Sequence, residues 1–131
     1  MCRSPKPMTE TTPESLYAAM LRQSLWVVTT RPARSPGIQE ALRAHLAYQI
    51  ALERQGTLFG AGPIFEEGDS APPTGGMIIL RAGSEAEARA IAEADPLHRE
   101  GLRSFTLHRW LLNEGSMNLT VRYSDQSVVL G

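Results

Sequence analysis

The chain has few of the residues and segments that build covalent frameworks or membrane anchors. Among its 131 residues Cys2 is the single cysteine, which excludes an internal disulfide framework and a zinc site made of several cysteines. No apolar run approaches the ~20 residues that a membrane-spanning helix needs. The first residues also lack the apolar segment of a secretory signal, so we expect a cytoplasmic protein without a membrane partner.

An excess of positive charge is also absent. The sequence has 13 Lys and Arg against 14 Asp and Glu, a net charge of −1. Since proteins that bind nucleic acid carry a basic stripe, we expect no nucleic-acid partner. The length and the 42% of hydrophobic residues suit one domain. We predict a flexible lead-in at 1–11 and a single α+β domain over 12–131, with its core at 24–113 and a C-terminal hairpin at 117–130.

Helical segments are marked by signals at their ends. Residues 12–14 combine a hydroxyl cap, a proline and an acid, and predict an N-terminal helix. Residues 38–55 form the clearest helix, which we expect to end at Gly56 in the left-handed conformation. A capping box predicts a third helix over 84–94, and an Asp-Pro pair starts a short helical turn over 95–101.

Strands alternate with these helices. Apolar and β-branched runs predict strands at 25–30, 57–61, 77–80 and 103–113. The order β-α-β-β-α-β is typical of a ferredoxin-like α+β sandwich, with both helices on one side of a four-stranded antiparallel sheet. A lone hairpin is marginal in water, so we expect the terminal hairpin to pair with a sheet edge of its own chain or of a partner.

The sheet face away from the helices is predicted to carry Trp26, His108 and Trp110. Left in solvent, such a face would form a large apolar patch. Self-association is the obvious way to cover it, so we expect a homodimer that joins through this open face.

One histidine lies on the apolar face of the long helix. At ~100° per residue, His45 shares that face with Tyr48 and Gln49. It is either a core histidine bonded to a backbone carbonyl, or a general acid or base that a second group orients. Asp95 is the candidate for that second group, although an Asp before Pro is also an ordinary helix cap. Both roles are compatible because a carboxylate has two oxygens.

Other residues give weak signals for chemistry. His98 is predicted on an exposed short helix and His108 on the sheet face, without the spacing of a metal site. Residues 60–63 lack the spacing of a phosphate-binding loop and indicate a strand end with a tight turn. No serine lies in a nucleophile elbow, and Cys2 lies in the lead-in. We therefore expect no metal, no cofactor and no covalent catalysis.

Several segments together resemble the YCII-related (YciI-like) proteins, over about residues 24–112. The segments are AHLAY at 44–48, QGTLFGAGP at 55–63, GSEAEA at 83–88, ADP at 94–96, GL at 101–102, and the strand that contains Trp110. The resemblance implies a ferredoxin-like subunit paired into a dimeric α/β barrel, with His45 and Asp95 as a catalytic pair. One characterised family activity is the elimination of chloride from a chlorinated hydroxyhydroquinone.

The chain also departs from that family. Leu97 and His98 follow Asp-Pro where an aromatic residue is common, and the N-terminal helix and C-terminal hairpin are additions. These differences bear on the substrate more than on the acid–base pair.

The expected function is that of a small cofactor-independent lyase or isomerase in catabolism, acting on a cyclic or aromatic-derived metabolite. His45 would move a proton, while Asp95 fixes the imidazole tautomer and stabilises the imidazolium. The alternative is a non-catalytic small-molecule-binding or accessory dimeric module on the same fold, and fold analogy alone adds a cofactor-independent monooxygenase. The candidate substrate-binding residues are Trp26, Tyr48, Gln49, Gly62, Pro63 and Trp110, of which Gln49 can hydrogen-bond a substrate oxygen.

Overall fold

The computed structural model describes residues 12–33, 38–69 and 71–131, so the predicted lead-in at 1–11 lies outside the described residues. The chain forms two compact units. One comprises residues 24–111, and the other combines the described residues before 24 with residues 112–131. The single domain predicted over 12–131 stays a prediction.

In chain order the elements are α1 (Pro13–Ala19), β1 (Gln23–Pro32), α2 (Ile38–Arg54), β2 (Leu58–Ile64), β3 (Gly75–Leu80), α3 (Glu85–Glu93), α4 (Pro96–Arg99), β4 (Arg103–Leu112), β5 (Leu119–Val121) and β6 (Val128–Leu130).

Four strands form one sheet in the order β2-β3-β1-β4. The central strand β3 runs antiparallel to both β1 and β2, and Val28 of β1 pairs with Ile78 of β3. This order, with α2 and α3 in the two crossovers, is that of a ferredoxin-like α+β fold and confirms the predicted fold class.

Strand β2 is longer than predicted. It continues through Gly62 and Pro63 to Ile64, so the strand end and tight turn predicted at 60–63 are wrong. Proline fits there because β2 is an edge strand of this sheet. No neighbouring strand of the sheet on its outer side requires a backbone N–H as a hydrogen-bond donor. The register slips between Leu58 and Gly60, which leaves Phe59 without a pairing partner on β3.

The helix ends follow the local signals. Gly56 has φ +82° and ends α2, while the N–H of Thr57 donates to the carbonyl of Leu52. At α3, the N–H of Glu87 donates to Ser84 Oγ at 3.1 Å, and the Glu87 carboxylate accepts from the N–H of Gly83. In the described part of the chain, no helix is long and apolar enough to span a bilayer.

The core lies between the sheet and the helices α2 and α3. Val28, Ile78 and Leu80 of the sheet pack against Leu52 and Ala92 of the helices. Strand β4 contributes Phe105 and Leu107 to the same side, which places His108 and Trp110 on the opposite face, as predicted.

Trp26 lies on the core side, so its predicted place on the open face is wrong. The register pairs it with Leu80, a buried residue. Its indole N–H donates to the carbonyl of Ala82 at 3.2 Å, which satisfies the buried polar end of the ring.

The terminal strands β5 and β6 form a two-stranded sheet of their own, with Leu119 opposite Leu130. The hairpin is therefore confirmed, but within the described residues it does not extend the four-stranded sheet. Its apolar side chains are exposed. Pairing with the sheet edge of a partner stays a prediction.

Candidate active site

Helix α2 and the start of α4 bring His45 and Asp95 together across 50 positions of sequence. Imidazole Nδ1 lies 2.7 Å from Asp95 Oδ2 and 2.9 Å from Oδ1. The partner of His45 is thus a carboxylate, not the backbone carbonyl of the simpler interpretation. The side chain of Asp95 is 1% exposed to solvent, and that of His45 is 15% exposed.

Asp95 both caps a helix and holds the imidazole. Its Oδ1 accepts from the backbone N–H of Leu97 at 3.0 Å, and its Oδ2 accepts from Gln49 Nε2 at 2.9 Å. Burial raises the pKa of this carboxyl, but the hydrogen bonds from His45, Leu97 and Gln49 outweigh burial, and the net pKa is lowered. Asp95 is therefore ionised at neutral pH.

An ionised carboxylate can only accept hydrogen bonds, so it fixes the tautomer of His45. The ring proton of the neutral imidazole lies on Nδ1, and Nε2 keeps its lone pair. Among the described residues, no hydrogen-bond partner meets Nε2. The lone pair of this nitrogen is therefore not engaged by any described residue.

His45 lines a cavity of about 580 Å³ between α2 and the strands β2 and β3. A volume of this size suits a small-molecule ligand. Three other predicted site residues, Gln49, Gly62 and Pro63, also line it. Gln49 Oε1 is buried and has no hydrogen-bond partner within the described ranges, while the amide nitrogen of Gln49 donates to Asp95.

The other three predicted substrate-binding residues do not line this cavity. Trp26 packs in the core, as described above, and Trp110 lies on the opposite face of the sheet, 37% exposed. Tyr48 donates its hydroxyl proton to the carbonyl of Ile91 at 2.7 Å. Burial first, and then the negative charge of Asp95, raise the pKa of Tyr48. Their assignment to substrate binding stays a prediction.

Two features of the cavity escaped the sequence analysis. Arg103, the first residue of β4, lines it, and so do Gly75 and Gly76 at the start of β3. Alternation along β4 was the available signal, because Arg103 shares its face with Phe105 and Leu107.

His98 was expected on an exposed helix, and that expectation is wrong. Its Nδ1 donates to the carbonyl of Ala92 at 2.8 Å, and its Nε2 accepts from the Thr30 hydroxyl at 3.0 Å. The ring also contacts Phe105, with the centroids 4.7 Å apart. The short helix α4 folds onto the sheet, and this turns His98 inward. Nowhere in the described ranges do three His, Cys, Asp or Glu side chains converge as metal ligands.

The fold and the site together define a ferredoxin-like α+β protein with a buried His–Asp pair beside a cavity. Residues 23–111 match the YCII-related domain, and the chain belongs to that family. Its structure is similar to that of 5-chloro-2-hydroxyhydroquinone dehydrochlorinase from Burkholderia phenoliruptrix AC1100, in complex with 2,5-dihydroxybenzoquinone. The sequence identity is 26% and the TM-score 0.53, over 66% of this chain and 92% of that one. No curated protein matches the chain.

Proposed function

We propose that the protein is a cofactor-independent lyase or isomerase that acts on a small cyclic or aromatic-derived metabolite. The observation that carries the proposal is the imidazole of His45, which lines the cavity and is held through Nδ1 by a buried carboxylate, while its Nε2 has no hydrogen-bond partner among the described residues. The likeness to a dehydrochlorinase supports the lyase form of the reaction.

In this mechanism His45 Nε2 takes a proton from an acidic C–H or O–H of the substrate. The electron pair of the broken bond forms a new double bond in the ring system. In the lyase form chloride departs with its bonding pair, and the imidazolium then releases its proton to water. In the isomerase form the imidazolium returns the proton to another atom of the substrate. Asp95 stabilises the imidazolium, and a base positioned in this way contributes about 10²–10⁴ in rate.

Gln49 takes the role of a substrate-positioning residue. Its amide nitrogen is held by Asp95, so its buried Oε1 is left to accept a hydrogen bond from a substrate hydroxyl. A ring hydroxyl bonded there would lie on the cavity wall formed by α2, one helical turn from His45.

The test is turnover of 5-chloro-2-hydroxyhydroquinone and related ring compounds. Turnover is measured by the release of chloride and by the change in absorbance of the ring compound. We expect His45→Gln to lower kcat/KM by about 10²–10⁴, with the fold retained by circular dichroism. Arg43→Gln is the control, since Arg43 is exposed on the same helix as His45 and does not line the cavity. Unchanged turnover in His45→Gln would refute the proposal, and ring binding without any turnover would favour the accessory binding module.

We also propose a homodimer that joins through the sheet face opposite the helices. Met77 and Trp110 are exposed apolar residues of that sheet, and Trp110 faces away from the core. Analytical ultracentrifugation should give twice the chain mass, and Trp110→Glu should shift the protein toward a monomer. A monomeric wild type at micromolar concentration would refute the dimer.

A further inference from the structure

Arg103 brings a positive charge to the cavity that His45 lines. It begins β4, and its side chain lies on the core side of the sheet with Phe105 and Leu107. The guanidinium reaches under the start of β3, where its Nη1 lies 3.7 Å from the position that a Cβ on Gly76 would take. The positively charged side chain at the start of β4 thus lines the cavity.

The charge of Arg103 has no counterion in the described part of the protein. None of the ion pairs there includes Arg103, and Glu53, the other charged residue that lines the cavity, makes no ion pair with it. The Nε atom of Arg103 is buried and has no hydrogen-bond partner among the residues that the structure describes. A buried N–H donor without an acceptor is costly, so a ligand oxygen at this position would satisfy a group that the protein leaves open.

Two glycines keep this part of the cavity clear. A Cβ on Gly75 would lie 2.4 Å from the carbonyl oxygen of Thr30, which the backbone cannot accommodate. A Cβ on Gly76 would lie 3.1 Å from Thr30 Cγ2 and beside the guanidinium. Glycine at position 75 therefore permits close strand packing, and glycine at position 76 leaves room beside Nη1 of the guanidinium.

We propose that Arg103 binds an anionic oxygen of the substrate, the oxygen of a carboxylate or of an ionised ring hydroxyl, on the cavity wall opposite α2. The Nε and Nη edge of arginine is a planar fork that matches two such oxygens. This inference rests on the proposed function, and it restricts the substrate class to ring compounds that are anions at neutral pH. His45 then acts on the C–H or O–H of a ring that Arg103 orients.

The experiment compares benzoate with benzamide, which has nearly the same shape and no charge, on the full chain by calorimetry and NMR. We expect wild type to prefer benzoate by about 10- to 100-fold, with a shift of the Arg103 Nε–H resonance on benzoate addition alone. Arg103→Gln should abolish the preference and leave benzamide binding unchanged. Arg103→Lys, which keeps the charge and loses the fork, should be intermediate and covers the case in which the glutamine variant fails to fold.

Arg109→Gln is the matched control, because Arg109 lies on the same strand and bonds Ser24 instead of lining the cavity. Equal binding of benzoate and benzamide, no binding of benzoate, or a preference retained in Arg103→Gln would overturn the inference. His45→Gln separates the two proposals. If that variant keeps both turnover and the benzoate preference, the proposed function fails while Arg103 remains an anion-binding residue.

Discussion

Two half-buried histidines on neighbouring helices differ in what their second nitrogen meets. His98 has a protein partner at both ring nitrogens, the Ala92 carbonyl and the Thr30 hydroxyl. The ring of His45 lines a cavity and bonds the Asp95 carboxylate through one nitrogen, and its other nitrogen has no partner among the described residues. Burial alone therefore does not separate a structural histidine from one whose ring can react. The two kinds of histidine are distinguished by whether both ring nitrogens have hydrogen-bond partners in the protein.

Asp95→Asn should have the largest effect on this comparison. The amide oxygen can keep the bond from the Leu97 N–H, which puts the amide N–H₂ in the place of Oδ2. There it donates to His45 and reverses the tautomer, and Gln49 Nε2 loses its acceptor. With its proton on Nε2, the neutral imidazole is no longer a base, so we expect kcat/KM to fall by about 10²–10⁴. Nitrogen-15 NMR should show the tautomer change at His45 and none at His98. Full activity in the variant would contradict the assigned tautomer.

Asp95→Ala should be the most destabilising single change at the site. It removes the cap of α4 and leaves the side-chain donors of His45 and Gln49 without their acceptor. We expect the free energy of unfolding to fall by about 2–4 kcal/mol, measured by urea denaturation. Asp125→Ala, at an exposed surface position, is the control and should change the free energy of unfolding much less. A comparably small change in Asp95→Ala would mean that the carboxylate contributes nothing to folding.

His98→Gln should lower stability and spare catalysis. The substitution disturbs the bonds to Ala92 and Thr30 and removes the contact with Phe105. We expect a loss of about 1–3 kcal/mol in the free energy of unfolding, with kcat within about threefold of wild type. If His98→Gln instead lost activity at unchanged stability, the division between the two histidines would be wrong.

The pH dependence of stability should carry the smallest signal. The pKa of Asp95 lies below its ordinary value of 3.8 in the folded protein, so the unfolded chain takes up this proton at higher pH. The stabilisation is complete above about pH 5 and is lost as pH falls through the folded pKa. Wild type should therefore lose stability more steeply than Asp95→Asn in urea titrations from pH 6 to pH 2.5. Glu66 and Asp125, whose pKa values are also lowered, contribute equally to both proteins, and equal slopes would contradict the prediction.

Features that depend on neighbouring residues were predictable from the sequence. Gly56 ends α2 because few other residues adopt φ +82°. Ser84 caps α3 because its hydroxyl accepts a hydrogen bond from the N–H of Glu87, three positions later in the chain. Asp95 illustrates a limit. Its capping role follows from the next residue, Pro96, whereas its contact with His45 was a hypothesis that no local pattern required and that the family resemblance supported.

Features that depend on distant packing were missed. The run from Leu25 to Val28 is apolar throughout, so alternation could not say which face of the sheet Trp26 occupies. The inward turn of His98 depends on how the four-residue helix α4 folds onto the sheet. The direction of Arg103 depends on the space beside Gly76, which belongs to another strand.

The proline of strand β2 has a consequence for aggregation. The exposed edge of a sheet can pair with a strand of another chain, which is one route to aggregation. Pro63 removes one backbone donor from this edge, and the irregular register at Phe59 breaks its spacing. A second chain cannot continue the hydrogen-bond ladder here without gaps, so this edge is protected against fibre growth while its inner side remains a wall of the cavity.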